Sequence, residues 1–70
     1  MHIHVDPAEC LEDLAARLAA NRCFVRRDGD GRCRVHMIEA RDEEESLVAL
    51  AFYAAAWASQ RPGVRAIVTL

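Results

Sequence analysis

Three histidines, three cysteines and nine arginines carry most of the chemistry open to this chain of 70 residues. His2 and His4 stand two apart, so on a strand they share one face with side chains about 7 Å from each other. Together with His36 they form a candidate ligand set for zinc or nickel, because neutral imidazole nitrogens suit both ions. Cys10, Cys23 and Cys33 are odd in number and follow no Cys-x-x-Cys spacing, so they read as small apolar core side chains. Cys10, on the first turn of an expected helix, is the best placed of the three to react. Ser46 and Ser59 bound a helical stretch with no histidine near them, and neither a glycine-rich phosphate loop nor a nucleophile elbow occurs. A catalytic cleft in so short a chain would have to form between subunits. The expectation is a non-enzyme.

Every basic residue is arginine. Arg22, Arg26, Arg27, Arg32 and Arg34 crowd one stretch against Asp28 and Asp30, a local surplus of three positive charges, with Phe24 and His36 among them. Guanidinium groups beside rings suit phosphates and stacked bases. The whole chain, however, has a net charge of -2 and a pI near 5.8, which gives no general attraction to nucleic acid or to anionic membranes. Edge strands also carry charge simply to avoid pairing with other edges. Nucleic acid therefore ranks below a protein partner, as the second alternative.

The elements that would position these groups follow from periodicity. Met1–Val5 alternates polar and apolar and predicts a strand with Ile3 and Val5 inward and the two histidines outward. Asp6-Pro7-Ala8-Glu9 predicts a capped helix beginning at Pro7, with Leu11, Leu14, Ala15, Leu18 and Ala19 on its inner face and a stop at Asn21. Cys23–Arg27 and Arg32–Ala40 flank two glycines and predict a β-hairpin. A three-residue loop over Gly29–Gly31 pairs Arg27 with Cys33, Val25 with Val35 and Cys23 with Met37, whereas a two-residue loop would bury Arg26. Cys23, Val25, Cys33, Val35 and Met37 then face the core, while Phe24, Arg26, Arg34, His36 and Ile38 face away.

Asp42 and three glutamates predict the start of a second helix, whose apolar stretch Ser46–Ser59 supplies most of the large core side chains. Its inner stripe is expected at Leu47, Leu50, Ala51, Ala54, Trp57 and Ala58, with Phe52 nearly opposite. Arg61-Pro62-Gly63 ends it, and Val64–Leu70 is a last strand with Val64, Ala66, Val68 and Leu70 inward and Ile67 outward.

The order β-α-β-β-α-β over residues 1–70 predicts one small α+β domain, a ferredoxin-like sandwich. Its four-stranded antiparallel sheet would be ordered 4-1-3-2 with both helices on one face. No signal-like start or membrane span is seen, so the expected setting is the cytoplasm. The function expected is a small binding or protein-interaction module, homodimeric or bound to a small protein partner, that acts through Phe24, Arg26, Arg34, His36, Ile38, Ile67 and Phe52. The first alternative is a transition-metal-binding protein using His2, His4 and His36. No other cofactor is expected.

Overall fold

The alternation at the start of the chain forms β1 (His2–Asp6), with Ile3 and Val5 buried and His4 exposed. The computed structural model describes residues 1–39 and 41–70. After β1 come α1 (Leu11–Ala20), β2 (Cys23–Gly29), β3 (Arg32–Met37), α2 (Glu43–Ser59) and β4 (Arg65–Thr69). The strands make one antiparallel sheet ordered β2-β3-β1-β4, the order read from the sequence.

The hairpin has the expected register: Cys23 pairs with Met37, Val25 with Val35 and Arg27 with Cys33. Its tip differs. Asp28 is bulged, Gly29 pairs with Arg32, and the chain turns on Asp30 and Gly31 alone. The bulge absorbs one residue, so the shorter turn keeps Arg26 on the outer face. Gly31 has φ +69, as its left-handed role requires, and its carbonyl accepts from the Val5 amide at 2.7 Å. Strand β3 stops at Met37, because its partner β2 begins only at Cys23. Ile38 follows the strand, exposed, its amide donating to the Arg22 carbonyl. Ala40, expected to end this strand, lies outside the described residues.

Helix α1 starts later than expected. Asp6 caps nothing, because its backbone is committed to β1 opposite Arg65, and a 3-10 turn at Ala8–Cys10 intervenes before Leu11. Leu11, Leu14, Ala15 and Leu18 are buried as expected, but Ala19 is exposed. Asn21 ends the helix, its amide bonded to the Leu18 carbonyl and its side chain to that of Arg17.

Helix α2 is capped by Asp42, whose carboxylate accepts from the Glu45 amide at 2.7 Å. Its buried stripe is Ser46, Leu50, Ala54 and Trp57, so Ala51 is exposed and Ser46 takes a place expected of Leu47, which is half-buried. Ser46 tolerates burial because its hydroxyl donates to the Asp42 carbonyl at 2.9 Å. Leu70 lies beyond β4 and is exposed, not inward.

One apolar cluster joins Ile3, Val5, Cys33 and Val35 of the sheet to Leu14 and Leu18 of α1 and to Leu50 and Trp57 of α2. The helices are also clasped at Asp13. One of its carboxylate oxygens accepts from the Trp57 indole at 2.7 Å, Arg61 at 2.8 Å and Arg17 at 2.9 Å, and the Arg61 guanidinium lies 4.7 Å from the Trp57 ring centre. Among the described residues, no helix is long and apolar enough to cross a membrane.

Candidate functional site

Outward side chains of the sheet lie in register. Arg26 on β2 is directly opposite Arg34 on β3, Arg34 opposite His2 on β1, and His2 opposite Thr69 on β4. Strands lie about 4.8 Å apart, so this row of four polar side chains runs across the sheet for about 14 Å. To one side of it, Phe24 pairs with His36, their rings stacked with centroids 6.5 Å apart and planes 20° from parallel. Phe24 is 66% exposed, so its ring is open to solvent. To the other side, Arg32 pairs with His4 and His4 with Ile67.

The arginines divide by location. Away from this face Arg17 and Arg61 are paired with Asp13, Arg27 with Glu12 and Arg22 with Glu39. Arg26, Arg32, Arg34 and Arg65, all on the outer face of the strands, make no ion pair among the described residues, nor does Arg41 ahead of α2. Asp6 lies opposite Arg65, and Asp28 reaches only the His2 ring, at 3.8 Å. These two carboxylates leave the face with a surplus of two positive charges on a chain whose net charge is -2. Arg26 and Arg34 face each other as like charges, an arrangement that costs a few tenths of a kcal/mol or more in a sheet.

Two shallow clefts of about 420 Å³ each open on the face. One is lined by His2, His4, Asp28, Arg32, Ile67 and Thr69, the other by Met1, Phe24, Arg26, Arg34 and His36 with the intervening backbone. Large enough for a small planar or phosphate-bearing group, both border the Arg26–Thr69 row.

The expected site residues therefore fall in two places. Phe24, Arg26, Arg34, His36 and Ile67 share the open face, Ile38 sits just past its rim after β3, and Phe52 lies apart on α2, 76% exposed. The histidines share the open face too, but it is Arg34 that stands opposite His2 and Arg32 opposite His4. Among the described residues, no three His, Cys, Asp or Glu side chains converge as a metal site. Burial pushes the Cys23 and Cys33 thiols up, the latter against an opposing pull from Arg27, which suits core side chains and not nucleophiles. Thr69 was not singled out from the sequence, and Arg32 and Asp28 entered there only through the charge balance of the hairpin. Thr69 and Arg32 join the site through pairings with β1, and nothing within a single strand signals such a register.

Compared with family models, curated proteins and solved structures, the chain matches none.

Proposed function

We propose that the chain is a non-enzymatic binding module of ferredoxin-like architecture, both helices on one face of the sheet and the other face open to an anionic partner. The single apolar cluster supports the architecture, since the inward side chains of the strands meet residues of α1 and α2 together. One observation carries the function: Arg26 and Arg34 oppose each other with no carboxylate, while Arg17, Arg22, Arg27 and Arg61, away from this face, are each paired with one. Repulsion between edges explains a charge on β2, which is an edge strand, but not one on β3, which is interior. Folding gains nothing from this pair, whereas a bound carboxylate or phosphate would neutralise both. A cytoplasmic setting suits three free thiols, two of them buried.

The experiment is an NMR titration of the labelled chain with inorganic tripolyphosphate. Saturable shifts are expected at Arg26, Arg34, His2 and His36, with α2 silent. Absence of shifts, or shifts centred on the helices, would remove this reading.

A second copy of the chain has its own surface in this reading. Val48, Phe52, Ala55 and Ser59 line the solvent side of α2, Val48 54% exposed and Phe52 more so, and no charged side chain interrupts them. Self-association belongs there, because face-to-face pairing of the open sheets would set arginines against arginines.

A further inference from the structure

We infer that the anionic partner of the open face is a single-stranded nucleic acid segment, lying across the strands with its phosphates on the Arg26–Arg34–His2 row and a base on the Phe24–His36 stack; this deepens the reading above and rests on it. Three features on the face choose among anions. The first is the row itself. Arg26, Arg34, His2 and Thr69 present hydrogen-bond donors in line over about 14 Å, the reach of two to three successive phosphates in an extended strand. A lone small anion would use two of them.

The second is the exposed ring. Phe24 gains little for folding at 66% exposure, yet His36 holds it in stacked geometry beside the row, on the same side of the sheet. An aromatic platform next to guanidinium groups takes a base on its π face and the attached phosphate on the charge, and it does so with little regard to sequence. Carboxylates of an acidic peptide would use the arginines and leave the platform empty. The third is shape. The face is a sheet with shallow clefts, and it presents no helix to enter a duplex groove. Unstacked bases fit such a surface; paired ones do not.

The charge of the whole chain, which ranks nucleic acid low from composition, does not oppose this. Seven of its eleven acids gather at the helix starts: Glu9, Glu12 and Asp13 around the start of α1, and Asp42–Glu45 at the start of α2. Asp42 and Glu43 share a cleft with His36, so their repulsion falls at that end of the face, away from the Arg32 and Arg65 end.

The test is fluorescence anisotropy of labelled oligo(dU) and oligo(U), each of about 12 nucleotides, with poly-glutamate as competitor and tripolyphosphate run in parallel. Binding is expected to weaken with a log–log salt slope of about -1.4, as the two phosphates neutralised by Arg26 and Arg34 require. Arg34→Gln should remove about 0.7 from that slope. Phe24→Leu should weaken binding about tenfold, and Phe24→Trp should restore it. Preference between the two oligomers reports the 2′-hydroxyl and assigns DNA or RNA. Equal binding by Phe24→Leu and the parent chain overturns the inference, as does displacement by poly-glutamate at matched charge concentration. If tripolyphosphate still shifts Arg26 and Arg34 while oligomers bind no better, the anionic face stands and the nucleic acid falls. If nothing shifts them, both fall.

Discussion

Asp13 shows how far one side chain can serve a fold this small. Its carboxyl is held below the ordinary value of 3.8, first by the Trp57 indole N–H and next by the hydrogen bond from Arg17; burial opposes them, and the nearby charges of Arg17 and Arg61 add lesser pulls downward. The folded state therefore binds this proton more weakly than the unfolded state does. Its stabilisation is complete above the unfolded value and is lost as pH falls through the lower folded value. Asp13→Asn should accordingly lower the urea midpoint at neutral pH, and the gap from the parent chain should close as pH drops below 3.8. A gap of constant size at both pH values would mean that the carboxylate charge is not what clasps the helices. None of this is legible in the sequence. Glu12 and Asp13 both read as outer-face acids of α1, and nothing local tells which of them the Trp57 of a distant helix will meet. Arg26 is the opposite case: burying it is costly enough to decide the hairpin register from sequence alone, and the structure has that register.

At the scale of elements, the chain is legible where side chains differ sharply in where they can go. Val25, Val35 and Cys33 cannot trade faces with Arg26, Arg34 and His36, so strands and pairing follow from alternation. Helix α2 offers no such contrast. Its outer side is alanine, valine and phenylalanine, and an alanine is nearly indifferent to burial, so the stripe is read about one position off and Ser46 is missed. Asp6-Pro7 misleads for another reason: the same residues that cap a helix can end a strand, and the pairing of Asp6 with Arg65 claims them. The turn of the hairpin makes the strongest demand on a single residue. A Cβ on Gly31 would stand 2.5 Å from the Val5 carbonyl oxygen and 3.2 Å from Ala8, so the tip is seated against the end of β1. Gly63 also has positive φ, +81, but nothing lies within 4 Å of its absent Cβ. Gly63→Ala should thus cost only the left-handed backbone, about 1–2 kcal/mol. Gly31→Ala adds displacement of backbone and should cost at least about 3 kcal/mol, measured by chemical denaturation. Equal losses would show that the tip moves freely away from β1.

For the whole molecule, surplus charge and exposed apolar surface fall on different faces. The open sheet carries the charge surplus, and α2 carries the uncharged stripe through Val48 and Phe52. A two-fold pair built on α2 uses Phe52 from both copies, so one substitution is felt twice. Each ring would bury on the order of 100 Å², contributing about 2.5 kcal/mol at roughly 25 cal/mol/Å². Phe52→Glu should then weaken self-association by about 5 kcal/mol, or roughly a few thousandfold in Kd, and leave the fold intact because the exposed ring lies outside the core cluster. Arg34→Glu lies on the other face and should leave the dimer unchanged while abolishing anion binding. Sedimentation velocity across a concentration series separates these outcomes. A dimer that survives Phe52→Glu but dissociates with Arg34→Glu would place the subunit interface on the open sheet. The row from Arg26 to Thr69 would then be covered by the second copy, its arginines offset so as to meet Asp6 or Asp28 of that copy. The two surfaces are thus tied: whichever one holds the second copy decides whether the other, with its stacked rings and four arginines, is free to bind anything else.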